Sequence, residues 1–316
     1  MKSWHKSLVL LVIVSAAVMA AATVVDPYVT GALGRHQWPA LSKFMARSFF
    51  KGALPGANDG VILLLLMATA VYFLAGPWKK SRLRGLRPLA GFVLTASLIT
   101  AVFMVHGLKL MVGRARPNLV FEESMPYSQW FTFGPHYIFD GTFSGAFPSG
   151  HTAQAFLLMT LAYILIGDPL FQKPAKKLGW IWGGIALLFA LLMGSARCMS
   201  QSHWLTDVLG SICLGWLWMH VIYFGLLRVP DQRRYLSTFG SLPKLPTAWE
   251  LLLCLYILFI TLGIVMTGIG MHGIFLGKPL WLTIMIPAGV ALIWFAFQKA
   301  RALHRTAGLV LDESRD

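Results

Sequence analysis

The chain has 316 residues, of which 57% are hydrophobic and only 12% charged, with a formal net charge of +15 and a mean hydropathy of +0.66. A soluble globule carries about 25% charged residues, so this chain lacks the polar surface to face water, and its 21 Phe and 12 Trp exclude disorder. In a soluble protein the basic excess would suggest nucleic acid; here the basic residues cluster between apolar runs, as membrane topology demands, and no nucleic-acid partner is expected. Three cysteines give no readable disulfide framework.

Apolar runs long enough to cross a hydrocarbon core fall at 8–25, 60–76, 88–108, 152–167, 178–194, 205–227, 250–271 and 279–298. They predict an all-α, polytopic transmembrane bundle of about eight spans. The first run follows Lys2 and Lys6 and ends in Ala20-Ala21-Ala22, but it is long for a cleaved signal and is expected to stay as a helix. Within 26–59, Leu41, Phe44, Met45 and Phe49 recur at helical spacing beside Lys43, Arg47 and Lys51, which suits a helix lying in the interface as well as an ordinary loop. Residues 1–227 read as one membrane domain, 228–249 as a linker with three prolines, 250–298 as two further spans and 299–316 as a tail. Alternate loops divide the 27 Lys and Arg into 18 and 9. The positive-inside rule then places both termini, the linker and the tail in the cytoplasm, and 26–59, 109–151 and 195–204 outside.

Polar clusters at span ends are the informative positions in so apolar a chain, and three lie on the predicted outer side. In the first, KLMVGRARP, seven helical steps would set Lys109 and Arg116 on one face, two turns apart. Arg114 falls off that face and reads as auxiliary. In the second, FPSGHTAQAF, Ser149 or Gly150 starts a helix whose unpaired N–H groups suit an anion, with His151 in the first turn. In the third, SARCMSQSHWLTD, Arg197 precedes His203 by six residues. Asp207 follows His203 by four, a spacing that brings its carboxylate to the ring if a helix begins near Trp204. A carboxylate on one ring nitrogen fixes the tautomer and leaves the other lone pair free to attack.

In order and spacing these clusters resemble the type 2 phosphatidic acid phosphatase superfamily, whose signature is K-x6-R-P, P-S-G-H and S-R-x5-H-x3-D. Lys109 to Pro117 and Pro148 to His151 match in full; in the third motif Ala196 separates Ser195 from Arg197. The resemblance covers about 100–215 and implies a six-helix catalytic core of the integral-membrane lipid phosphatase branch, extended by the two C-terminal spans. It implies that Lys109, Arg116, Arg197, Ser149 and the Gly150 amide hold phosphoryl oxygens. His203 would attack phosphorus, oriented by Asp207, and His151 would protonate the leaving oxygen. Phosphoryl transfer is mostly charge stabilisation and alignment, so three fixed cations would serve with no metal or other cofactor. Glu122, Glu123, His106 and His136 have no matched role and are assigned to loop or interface.

The implied partner is a membrane lipid phosphate or diphosphate at the outer face of a bacterial-type inner membrane: undecaprenyl diphosphate, phosphatidylglycerol phosphate, phosphatidate or a lipid A phosphate. Tyr127, Trp130, Phe131, Phe133, Tyr137, Phe139 and Phe143 crowd the loop between the first two motifs, either as a lateral lipid entrance or as an interfacial belt. A phosphotransferase would use the same residues with a second lipid as acceptor. A non-catalytic lipid carrier, suggested by the two extra spans, has no reason to gather two histidines, an aspartate and three cations on one side.

Overall fold

A computed structural model describes residues 3–45, 59–76, 83–132, 145–240, 246, 248–275, 277 and 280–312. Within them the chain is an α-helical membrane bundle. Helix α1 spans Ser3–Arg35 and α2 spans Pro39–Met45. Helix α3 covers Asp59–Leu74. A continuous rod follows, with α4 at Arg87–Ala96, a π-helical stretch at Ser97–Met104 and α5 at Val105–Val112. Short α6 is Pro117–Phe121, then come α7 at Gly150–Phe156 and α8 at Met159–Gly167. Helices α9 (Lys173–Met199), α10 (Leu205–His220), α11 (Val229–Phe239), α12 (Trp249–Phe275) and α13 (Met285–Asp312) complete it.

Among the described residues, seven helical segments are long and apolar enough to span a bilayer, and Gly60–Leu74 is a shorter apolar helix. At 1.5 Å per residue that shorter helix is about 23 Å long, less than the ~30 Å of a typical hydrocarbon core. It packs along α4. In α2, Ser42 lies at Met199, the end of α9. Downstream, Tyr72 Oη donates to Glu250 at the start of α12 (2.7 Å) and accepts from Arg87 (3.1 Å).

The bundle has two chemically different ends, separated by about 40 Å of α9. At one, Arg233 Nε donates to Asp168 at 2.7 Å and its Nη1 to the Gly85 carbonyl, pinning α11 beneath the bundle. The segment 228–249, expected as a linker, therefore holds a packed helix. Pro230 sits in its first turn, where proline's missing N–H costs nothing, and buried Gln232 donates to the Leu227 carbonyl. Helix α13 runs on through the expected tail, where Leu311 packs on Tyr235. At the other end, α1 leaves the bundle, α9 stops and α10 begins; the three motifs gather there.

Between the ends, Phe92, Phe156, Met193, Met219 and Tyr223 are fully buried in one apolar core. Large apolar residues on α1, α9 and α13, such as Leu10, Ile13, Trp180, Ile185 and Trp294, stay exposed. Such all-round apolarity is what a lipid-facing helix carries. In the segment 26–59, Leu41 and Met45 are buried in α2 while Phe44 is exposed; Arg47, Phe49 and Lys51 lie outside the described residues.

Candidate active site

Lys109 and Arg116 do not share a continuous helix, as their spacing alone suggested. Helix α5 ends at Val112 because Gly113 adopts the left-handed conformation (φ +55°) and its N–H closes on the Lys109 carbonyl at 3.1 Å. Pro117 then holds Arg116 extended (φ −76°, ψ 151°) as the cap of α6. The chain thus turns across the helix end. Lys109 Nζ donates to the Gly145 carbonyl, and Ala146 N donates to the Arg114 carbonyl at 2.8 Å. Position 145 must be glycine, since a Cβ there would lie 2.8 Å from the Lys109 carbonyl oxygen and 3.4 Å from the Arg114 nitrogen.

This lacing delivers the second motif to the third. Ser149 caps α7, its Oγ accepting from Thr152 N (3.4 Å) and Thr152 Oγ1 (2.9 Å). Its N–H donates to the Asp207 carbonyl at 3.1 Å, and Ser211 Oγ donates to the Ser149 carbonyl at 2.9 Å. The Ser149 hydroxyl, which the resemblance implies as a phosphoryl ligand, is buried and accepts both of these bonds, so its own O–H proton is not spent on the cap. Gly150 and His151 form the first turn of α7, where helix geometry leaves N–H groups without intrahelical acceptors.

Arg197 stands in the last turn of α9, 8% exposed, and its Nε has no hydrogen-bond partner. The Arg197 carbonyl accepts from the N–H groups of Ser202 (3.0 Å) and His203 (3.3 Å), so the turn that carries the arginine also fixes the histidine backbone.

His203 is 4% exposed. Its Nδ1 lies 2.8 Å from the Ala146 carbonyl oxygen and 3.5 Å from Asp207 Oδ2. A carbonyl can only accept, so Nδ1 carries the proton and Nε2 keeps the lone pair. The sequence identified the carboxylate and missed the carbonyl, which makes the shorter contact. Burial pushes the His203 pKa down to about 4; Asp207 pulls it up, while Lys109 and Arg116 push it down. The ring is therefore neutral at pH 7, a form that the positive charges of Lys109 and Arg116 favour.

Asp207 is completely buried. It sits in the first turn of α10, where its Oδ2 accepts the Trp204 N–H at 2.8 Å and so satisfies a donor at the helix start. Its Oδ1 accepts from Arg114 Nη1 at 2.7 Å. Arg114, read as auxiliary from its spacing, is 1% exposed and all its nitrogens are engaged. Besides Asp207, Nη1 donates to Thr206 Oγ1 (2.7 Å), Nη2 to Asp26 Oδ2 (2.7 Å) and Tyr127 Oη (3.2 Å), and Nε to the Ser128 carbonyl (2.8 Å). Tyr127 and Trp204, packed edge to face on each other, both approach its guanidinium, at 5.4 and 5.2 Å from their ring centres.

Two loop aromatics are thus structural: Tyr127 packs on Trp204, and Trp130 Nε1 donates to Thr23 in α1 at 2.8 Å. Phe131 is exposed. Phe133, His136, Tyr137, Phe139 and Phe143 lie outside the described residues. Glu122 and Glu123 occupy the turn after α6, and His106 lies in α5, exposed, one turn before Lys109.

A family model described as the PAP2 superfamily matches residues 90–231, a stretch that holds all three motifs. Phosphatidylglycerophosphatase B of Bacillus subtilis (strain 168) is 37% identical over 75 residues, which is 23% of this chain and 36% of that protein. The chain thus matches about a third of that relative's length. No solved structure matches it. Residues 90–231, which carry all three motifs, thus match the PAP2 superfamily.

Proposed function

We propose that this protein is a lipid phosphatase that hydrolyses a lipid phosphate or diphosphate at the outer face of the inner membrane through a phosphohistidine intermediate. The observation that carries the reading is the geometry of His203: the Ala146 carbonyl holds Nδ1 as a donor next to Asp207, which leaves the Nε2 lone pair as nucleophile. Nε2 attacks phosphorus, forming the N–P bond as the bond to the lipid oxygen breaks; His151 supplies the proton to that oxygen. The positive charge that develops on the imidazole is stabilised by Asp207. Lys109, Arg116, Arg197 and the amide of Gly150 neutralise the phosphoryl oxygens, which is most of what this chemistry asks of a protein. Water then attacks phosphorus, His151 takes its proton, and the N–P bond breaks to release phosphate and neutral His203.

The outer-face assignment is supported by the 18-to-9 division of basic residues and by the site's position at the end of the bundle opposite Arg233. The relative's name supports phosphatidylglycerol phosphate as the first substrate to try. The test is release of inorganic phosphate by the purified protein, with chelator present, from phosphatidylglycerol phosphate, undecaprenyl diphosphate, phosphatidate and lipid A phosphates separately. At least one should be hydrolysed by the wild type and by none of its His203→Ala preparations. No release from any of them, or transfer to a second lipid without free phosphate, would refute hydrolysis.

A further inference from the structure

Helix α1 lies outside the matched family segment and outside every motif. It nevertheless sends one acidic side chain into the layer behind the nucleophile. Asp26 is completely buried. Its Oδ1 accepts the Thr206 N–H at 2.9 Å, and its Oδ2 accepts from Thr206 Oγ1 at 2.6 Å and Arg114 Nη2 at 2.7 Å. Arg114 in turn grips Asp207, and Asp207 lies beside His203. Burying an ionised carboxylate is costly unless it is paired. Replacing the N–H cap of α10 needs only a hydroxyl, as Thr30 demonstrates by accepting the Leu205 N–H at 3.0 Å. The charge of Asp26 has a second purpose.

We propose that Asp26 is a positioning residue for the nucleophile: it neutralises Arg114, so that Arg114 can orient Asp207 without cancelling the negative charge that His203 needs. This rests on the phosphohistidine reading above. With Asp26 ionised, Asp26, Arg114 and Asp207 carry a net −1 behind the ring. As Nε2 bonds to phosphorus and the leaving oxygen departs, the imidazole becomes a cation with its proton still on Nδ1, and that net charge stabilises it. With an uncharged residue at 26 the same set is neutral, and the full guanidinium charge opposes the cation. Oriented, low-dielectric charges of this kind act mainly on the transition state, so the effect falls on kcat.

The experiment compares Asp26→Asn with Thr30→Val in the purified full chain, measuring kcat, KM, the rate of phosphoenzyme formation after rapid quench, and thermal unfolding. Both variants disturb the same contact between α1 and the start of α10, but only the first removes charge. Asp26→Asn should lower kcat and phosphoenzyme formation by about 10–100-fold, the range typical of outer partners of a functional histidine, with KM within about threefold. Thr30→Val should keep kcat within about twofold. If Asp26→Asn does not fold, the double variant Asp26→Asn/Arg114→Gln, which removes both charges, answers the same question. Its kcat should equal or exceed that of Arg114→Gln alone, because the cation that needed neutralising is gone. Full kcat in Asp26→Asn, equal losses of kcat in Asp26→Asn and Thr30→Val, or multiplicative losses in the double variant would each overturn the proposal. A wild type that releases no phosphate would instead overturn the function on which it rests; an active wild type isolates the test to Asp26.

Discussion

Arg114 and Arg116 are two residues apart in one motif, yet their replacement by methionine should do opposite things. Methionine approximates the volume of the arginine stem and removes only the charge and the donors. At 114 it removes five N–H donors whose acceptors are Asp26, Asp207, Thr206, Tyr127 and the Ser128 carbonyl. Two carboxylates with no exposed side-chain surface would lose their counter-ion. Breaking a buried pair by removing one partner costs about 3–5 kcal/mol. Asp26 keeps Thr206, and Asp207 keeps the Trp204 N–H, which holds the sum for both pairs near the upper end of that range rather than doubling it. Arg116 is only partly buried, and loss of a charge there should cost at most about 1 kcal/mol. Thermal and denaturant unfolding in detergent, run beside phosphate release, separates the two. Arg114→Met should unfold far more readily than the wild type. Arg116→Met should unfold like the wild type while losing most activity. The reasoning fails if Arg116→Met is the less stable variant, or if Arg114→Met keeps wild-type stability.

Three other outcomes follow from the same geometry. Because burial holds the His203 pKa at about 4, below the ordinary ~6.5, its NMR signals should report a neutral ring down to about pH 4. The unfolded state binds the extra proton first, so this group's stabilisation is full above about 6.5 and is lost as pH falls towards 4; protonation near 6.5 in the folded protein would contradict it. Replacing the general acid in His151→Ala should cost about 10²–10⁴-fold on a lipid alkoxide leaving group but be partly rescued by a nitrophenyl phosphate, whereas His203→Ala should be rescued by neither. A cysteine introduced at exposed Ser124 should react with a membrane-impermeant thiol reagent in intact spheroplasts; labelling only after the inner membrane is permeabilised would invert the topology.

The spans and the three motifs are legible in the sequence because each is a local signal: apolar runs mark helices, and short spacings mark chemistry. The connections between them are less so. Nothing in the spacing of KLMVGRARP distinguishes a helix continuing through Gly113 from one that stops there, and the left-handed glycine decides which arginine faces inward. The Ala146 carbonyl that fixes the His203 tautomer is a backbone atom and leaves no mark in residue type. Asp26 is separated from Arg114 by 88 residues and from Thr206 by 180, so no periodicity ties it to them. One sequence signal could have found it. It is the sole acidic residue before position 59, placed at the end of an apolar run where an unpaired carboxylate would be costly. The packed helix at 229–239 was hidden by the prolines around it, although Pro230 is in the first turn, where helices tolerate it.

The central claim, that His203 carries the phosphoryl group, is tested most directly by trapping that group. The protein would be mixed with a radiolabelled lipid phosphate that it hydrolyses, quenched within milliseconds in alkali, and the label mapped by mass spectrometry. A phosphoramidate stable to alkali, labile to acid and located on His203, absent from His203→Ala and retained in His151→Ala, is the predicted result. Label on any other residue, or an active enzyme that never acquires label, would contradict it.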